Sequence, residues 1–165
     1  DGTSMSGGKG KWNNTDSHAK ASDMLTRYGG KVLGIYVQTP DIMGAGVVSA
    51  IEAARLQAKD FGISELCIGP EGIDLIKKGK VLAVVEQPAY DSALLAVQYL
   101  YDMTHGKPVP KIGDTIVVKD ALWSPAQVVK NPWAEDGAFV VLGAAVPQEV
   151  GADDPRLWEN MLFEK

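Results

Sequence analysis

Apolar residues along the chain fall into short continuous runs that alternate with stretches of helical periodicity. The apolar runs at 31–37 and 81–85, and a run that ends at 66–69, predict β-strands. The stretches between them place apolar residues three and four positions apart, which predicts amphipathic helices. Alternation of strand and helix at this pitch predicts an α/β fold with a parallel sheet and right-handed crossovers. The run at 81–85 is apolar throughout, as expected for a strand covered by helices on both faces.

Each predicted helix has its own start and stop signals. Thr15 or Asp16 is expected to cap a first helix that ends near Tyr28, and Thr39 followed by Pro40 is a typical start for the second. A short helix is expected over 71–78, closed by a glycine. A long helix is expected over 90–104. The buried stripe predicted for this last helix consists of Leu94, Val97 and Tyr101, with Leu100 beside them.

The pattern changes after residue 108, where Pro, Trp and Gly interrupt any clear period. Strands are expected at 114–118 and 139–143. Residues 151–165 are expected to form an irregular arm with one helical turn.

Composition and charge narrow the class of protein. The 165 residues are 45% hydrophobic and 22% charged, with a formal net charge of −5, which is typical of a globular protein and argues against a nucleic-acid binder. No stretch approaches the roughly 20 apolar residues that a membrane-spanning helix needs. The single cysteine, Cys67, lies in an apolar run and is predicted to be a buried, inert thiol, so no intrachain disulfide and no thiolate cluster for zinc is expected.

Sequence motifs for catalysis and for cofactors do not occur. No segment fits GxxxxGK[ST], GxGxxG after a strand, or GxSxG. The two histidines, His18 and His105, are expected on the surface at helix ends. We therefore predict no catalytic residues, no metal site and no cofactor.

Polar residues follow the predicted strands, where open α/β sheets bind their ligands. Thr39 and Asp41 follow the first strand, Glu71 follows the second, and Gln87 follows the third, while Trp12 precedes the first helix. An aromatic ring suits the apolar face of a sugar, and carboxylate and amide groups suit its hydroxyls. Alternative interpretations are a core position for Trp12, and helix-start carboxylates that accept backbone N–H groups for Asp41 and Glu71.

Two long runs resemble the type I periplasmic sugar-binding proteins of ABC transporters. QTPDIMGAGVVSAIEAA (38–54) resembles their QNDxMAxGAxxAxxxAG. The run 66–110, which begins LCIGPEG and contains VLAVVEQPAY, resembles their VxGxDG segment and the ATVxQxP segment that follows it. The preceding GKWNNTDSHAKASDMLTRYGG resembles their aromatic-then-helix segment, so the resemblance covers about residues 10–110.

The resemblance implies one lobe of a type I periplasmic binding fold, with a Rossmann-like three-layer parallel sheet. In this family a sugar or polyol is held in a cleft between two lobes and delivered to an ABC permease in the inner membrane. Carried onto this sequence, the ligand residues are Trp12, Glu71 and Gln87. Pro40, with Thr39 ahead of it, stands where the family has Asn, and Glu71 stands where it has Asp, so the preferred sugar does not carry over.

Full-length members are about twice as long, so we expect this chain to be a fragment. Residues 1–111 would form the ligand-binding lobe, incomplete at its start, and 112–165 a hinge crossover and C-terminal extension. Trp123, Trp133 and Trp158 would then be partly exposed, and this apolar surface would favour self-association.

Two other classes of protein fit parts of this pattern. The first is the effector-binding lobe of a LacI-like regulator, which shares the fold, although the acidic charge and the long tail favour transport. The second is an α/β sugar-modifying enzyme, for which Glu71 and Glu86 are the available carboxylates.

Overall fold

The computed structural model describes residues 12–66, 69–133 and 137–161. The chain divides into two compact units. The first unit runs to Val85 and adds Val146–Ala152, and the second comprises Glu86–Ala145 and the residues from Asp153 on.

The first unit is an α/β unit built on a three-stranded parallel sheet. Its sheet has the order β1-β2-β3, with Ile35 opposite Ile63 and Glu65 opposite Val84. This confirms the predicted α/β class and the parallel sheet. The elements of the unit are α1 Asn14–Tyr28, β1 Gly34–Val37, α2 Ala45–Ala53, β2 Gly62–Leu66, α3 Pro70–Lys77, β3 Ala83–Val85 and α5 Pro147–Val150.

The core of the first unit lies on one face of this sheet. Residues on β1 and β2 alternate in burial, so that Ile35 and Ile63 are buried while Tyr36 is exposed. Helix α1 contributes Ala21 and Leu25 to the buried residues of the unit. Helix α2 contributes, among others, Val47, Val48 and Ile51.

Helix α1 begins earlier than predicted. Its cap is Asn13, whose side chain accepts a hydrogen bond from the backbone N–H of Asp16 at 2.8 Å. The prediction of Thr15 or Asp16 as the cap was therefore wrong, because the side chain of Asn13 already accepts a backbone N–H of the first turn. The predicted end near Tyr28 is confirmed.

Helices α1 and α2 pack together through small residues and polar contacts. The Asn14 side chain accepts a hydrogen bond from the N–H of Gly46 at 2.9 Å, and the Ser17 hydroxyl donates to the carbonyl of Met43 at 2.8 Å. A Cβ at Gly46 would collide with the Ser17 hydroxyl and the Asn14 carbonyl. The close approach of the two helices therefore requires glycine at this position.

The second helical segment starts at Pro40, as Thr39-Pro40 predicts. It opens with a π-helical turn, Pro40–Gly44, and continues as α2. Helix α2 ends at Ala53, because Arg55 adopts a left-handed φ of 61° and turns the chain away. The predicted short helix is α3, closed by Gly79 with φ 64°.

The second unit contains α4 and a three-stranded antiparallel sheet. Its elements are α4 Ala89–Thr104, β4 Thr115–Ile116, β5 Ala126–Lys130, β6 Ala138–Val141 and α6 Trp158–Met161. The sheet has the order β4-β5-β6. Strands β4 and β6 and the single turn α6 confirm the predictions for this part of the chain, whereas β5 was not predicted.

The exposure of two parts of the second unit differs from the prediction. The stripe Leu94, Val97 and Tyr101 is 50–67% exposed, and Leu100 is 63% exposed. The buried-stripe prediction was wrong for this structure, because no strand of the β4-β5-β6 sheet packs extensively on α4. Trp123 was expected on the surface and is buried, with 3% exposure, and its backbone lies against Gly143.

Trp133 is exposed, as predicted, and the side chain of Trp158 lies outside the described residues. Cys67 also lies outside them. Among the helices that the structure describes, none has the length and apolar character to cross a membrane.

Candidate ligand-binding site

The carboxyl ends of the three parallel strands lie at the same edge of the first unit's sheet. The chain leaves β1 at Val37 and enters the π-helical turn through Thr39. It enters α3 at Pro70 after β2. Open α/β sheets bind ligands at this edge, so the candidate site is built from these two connections.

Asp41 links the two connections by capping α3. Its Oδ1 atom accepts hydrogen bonds from the backbone N–H groups of Glu71, at 3.0 Å, and Gly72, at 3.1 Å. Helix α3 has Gly69 at its cap position and no side-chain cap of its own. Asp41 therefore supplies from the preceding helical segment the acceptor that α3 lacks locally.

Gly69 makes this contact sterically feasible. A Cβ atom at residue 69 would collide with the Asp41 carboxyl group, and it would lie 2.7 Å from Oδ1. Any side chain at residue 69 would therefore displace the cap. The alternative interpretation of Asp41 as a helix-start carboxylate is confirmed in kind, but the helix that it caps is α3 and not its own.

Glu65 is a buried acidic residue on β2, and its carboxyl group packs against Gly44 of the π-helical turn. Glu65 is only 2% exposed, and neither of its carboxyl oxygens has a hydrogen-bond partner among the described residues. Burial, together with the negative charges of Asp41 and Glu71, raises the pKa of Glu65 to about 7. Glu65 is therefore largely protonated below neutral pH.

Burial also affects two polar groups near Glu65 in sequence order before it, Asp41 in the π-helical turn and Thr39 at the cap position of that turn. Burial raises the pKa of Asp41, while the hydrogen bonds from Gly72 and Glu71 oppose that rise. The hydroxyl oxygen of Thr39 is buried and has no partner among the described residues. The hydroxyl group at the cap position of the turn is thus buried and unpaired among the described residues.

The remaining predicted site residues are placed as follows. Trp12 is 63% exposed just before the Asn13 cap, so the core interpretation of Trp12 was wrong. Gln87 is exposed two residues after β3 ends, and its carbonyl accepts a hydrogen bond from Ala89 at 2.6 Å. Glu86 is 4% exposed, and its N–H donates to the carbonyl of Ala145 at 2.8 Å.

The structure therefore brings Asp41 and Glu71 together and places Thr39 at the cap position of the turn that carries Asp41. Sequence reasoning missed Glu65, although a signal for it exists. Glu65 stands in register with Ile63 on the buried face of β2, where the i, i+2 pattern demands an apolar residue. Within the described ranges, no group of three His, Cys, Asp or Glu side chains is arranged to hold a metal ion.

Residues 3–108 match the sequence model of a family described as the periplasmic binding protein domain. The chain therefore belongs to the periplasmic binding protein domain family. The match spans both connections that build the candidate site and the whole parallel sheet. A comparison with curated protein sequences gave no match.

Solved structures of sugar-binding proteins share the fold. A glucose-galactose binding protein from Geobacillus stearothermophilus is 22% identical over 79% of this chain and 38% of its own, with a TM-score of 0.52. A substrate-binding protein of a sugar ABC transport system from Bordetella parapertussis is 21% identical over 88% and 39%, with a TM-score of 0.56. A sugar-binding protein of a sugar ABC transporter from Bacillus halodurans is 21% identical over 87% and 43%, with a TM-score of 0.55.

The chain thus spans about two fifths of the length of these structures. Together with the parallel sheet, they define the fold as one lobe of the type I periplasmic binding architecture. The predicted family and fold class are confirmed.

Proposed function

We propose that this chain is part of the solute-binding component of an ABC importer, which captures a sugar or polyol and delivers it to a membrane permease. The observation that carries the proposal is the site at the strand ends, where Asp41 fixes the start of α3 and thereby the position of Glu71. Family membership and solved relatives described as sugar-binding proteins support the choice of ligand class. The same family implies a periplasmic location.

The predicted ligand residues of the first unit have distinct roles in this proposal. The exposed ring of Trp12 stacks on the apolar face of the sugar. Glu71 accepts hydrogen bonds from ligand hydroxyls. Asp41 holds the start of α3, and with it Glu71, in place, and Thr39 stands at the cap position of the turn that carries Asp41.

The positions of the two candidate carboxylates favour binding of a sugar over its chemical conversion. Hydrolysis or transfer needs an acid or base held near a second reacting group. Glu71 is half-buried at the start of α3, and Glu86 is buried beside Ala145. We therefore propose a binding protein and not a sugar-modifying enzyme, and the transport proteins among the solved relatives favour an importer over a transcriptional regulator.

A thermal-shift screen of pentoses, hexoses and polyols tests the proposal. A bound sugar raises the melting temperature in proportion to the logarithm of its concentration. We expect one or a few sugars to stabilise the chain without being converted to product. Glu71→Ala should abolish the shift, whereas Glu149→Ala, which removes an exposed carboxylate from α5, should leave it intact. Turnover of a sugar, or a shift that survives Glu71→Ala, would contradict the proposal.

A further inference from the structure

Glu65 has an environment that a permanently charged carboxylate does not tolerate. Glu65 is only 2% exposed, and neither of its carboxyl oxygens has a hydrogen-bond partner among the described residues. A Cβ added at Gly44 would lie 3.2 Å from the carboxyl carbon, so the π-helical turn packs directly against this group. An ionised carboxylate in such a place loses its hydration without gaining hydrogen bonds.

The charged groups that act on Glu65 come from both segments of the candidate site. The π-helical turn presents Asp41, and α3 presents Glu71. The strand neighbours Val37 and Val84 are apolar. Ionisation of Glu65 therefore adds a third negative charge beneath two existing ones, and the two strands that flank it offer nothing to neutralise that charge.

We propose that Glu65 is a proton-dependent positioning residue, which holds the contact between Asp41 and the start of α3 closed when it is protonated and opens that contact when it ionises. Opening separates the π-helical turn from α3, hydrates the new carboxylate, and distances it from Asp41 and Glu71. The contact that would break is defined by the two hydrogen bonds from the Glu71 and Gly72 amides.

The size of the effect follows from proton linkage. The closed state binds the Glu65 proton with a pKa of about 7, and an opened state with a hydrated carboxyl group has the ordinary value of 4.5. The opening equilibrium then rises with pH between these two values and levels off above the higher one. The full rise is about 300-fold, which corresponds to the difference of 2.5 between the two pKa values.

Site-resolved amide hydrogen exchange tests this proposal on the chain itself, without a ligand. Protection factors corrected for intrinsic exchange should fall at least about tenfold for the Glu71 and Gly72 amides between pH 5 and pH 7.5. The amides of Lys78 and Gly79, which bond to Asp74 and Ile76 at the other end of α3, are the internal control and should change less than about twofold. Equal changes at both ends of α3, or no change at either, would overturn the proposal.

A variant and a direct titration complete the test. Glu65→Gln keeps the shape of the side chain and cannot ionise, so its Glu71 and Gly72 amides should show flat protection across the same range. The carboxyl carbon of Glu65 in the unaltered chain should titrate near neutral pH by NMR. A midpoint at the ordinary value would overturn the proposal even if the variant failed to fold.

The consequence for ligand binding rests on the proposed function, because Glu71 acts on a ligand only if the site binds one. In that case sugar affinity should fall as pH rises through neutrality and should become independent of pH in Glu65→Gln. A protein that binds no sugar but shows the exchange pattern would refute the proposed function and retain the role of Glu65.

Discussion

Removal of the Asp41 carboxylate is the most direct perturbation of the candidate site. Asp41→Ala takes away the acceptor of two backbone N–H groups at the start of α3. Loss of a capping side chain costs about 0.5–2 kcal/mol, and hydrogen bonds to charged groups contribute about 1.5–3 kcal/mol each. The lower part of this range applies, because Asp41 is only half-buried and water can replace it.

Two electrostatic effects make the loss of stability on Asp41→Ala smaller still. Burial disfavours the charged form of Asp41, and its charge repels a proton-free Glu65. We therefore expect Asp41→Ala to lower the free energy of unfolding by about 1–2 kcal/mol at neutral pH. The same change should lower the pKa of Glu65, because one of the two negative charges that raise it is gone.

Urea denaturation of matched variants measures this cost. Asp41→Asn keeps an oxygen acceptor at the same position and should lose less than half as much stability as Asp41→Ala. Asp74→Ala removes an exposed carboxylate that pairs with Lys78 and should cost less than about 0.5 kcal/mol. The reasoning is refuted if Asp41→Ala costs no more than Asp74→Ala, or if Asp41→Asn costs as much as the alanine variant.

Three further predictions concern other parts of the first unit. Folding raises the pKa of Glu65 from 4.5 to about 7, so the protonated side chain contributes stability that is fully present below pH 4.5 and is lost as the pH rises to about 7. The free energy of unfolding should fall by roughly 3 kcal/mol over this range in urea titrations at several pH values, and this fall should vanish in Glu65→Gln. Gly46→Ala should cost about 1–3 kcal/mol in thermal unfolding, because its Cβ collides with the Asn14 carbonyl, whereas Gly30→Ala, which has open space at its Cβ, should be nearly neutral. Trp12→Ala should weaken sugar binding by about 1–3 kcal/mol in calorimetry if the ring stacks on the ligand, by analogy with stacking on bases, and an unchanged affinity would exclude that role.

Much of the first unit is predictable from sequence because its signals are local. The Thr39-Pro40 start of the second helical segment and the Gly79 stop of α3 depend on backbone preferences of single residues, and both are confirmed. The parallel sheet follows from the alternation of strands and helices.

The parts that were missed depend on contacts distant in sequence. Leu94 on α4 is exposed because the described strands β4, β5 and β6 do not pack extensively on this helix, which helical periodicity alone does not report. In strand β5, buried Ala126 and Val128 alternate with exposed Gln127, but this alternation covers only three residues and lies among Pro and Trp residues that interrupt the pattern.

In the candidate site, too, the features that the sequence does not predict depend on contacts between residues distant in sequence. Sequence identified Asp41 and Glu71 as separate helix-start residues, but the bond between them joins residues thirty positions apart. Glu65 was missed because a lone glutamate in a short strand is ordinarily a surface residue, and only the tertiary structure shows both of its oxygens buried.

Sugar binding at the strand-end edge of the first unit can be observed residue by residue in an NMR titration of the isotope-labelled chain with pentoses, hexoses and polyols. Chemical shifts detect binding even when one lobe alone holds the ligand weakly, at sugar concentrations up to about 50 mM, where a complex with a Kd of 1 mM is nearly saturated. We predict saturable shifts for the Trp12 indole and for the Glu71 and Gly72 amides. The amides of Gly34 and Gly62, at the amino ends of β1 and β2, should stay unchanged. Shifts spread evenly over both ends of the sheet, or no shifts with any sugar, would show that this edge is not a sugar-binding site.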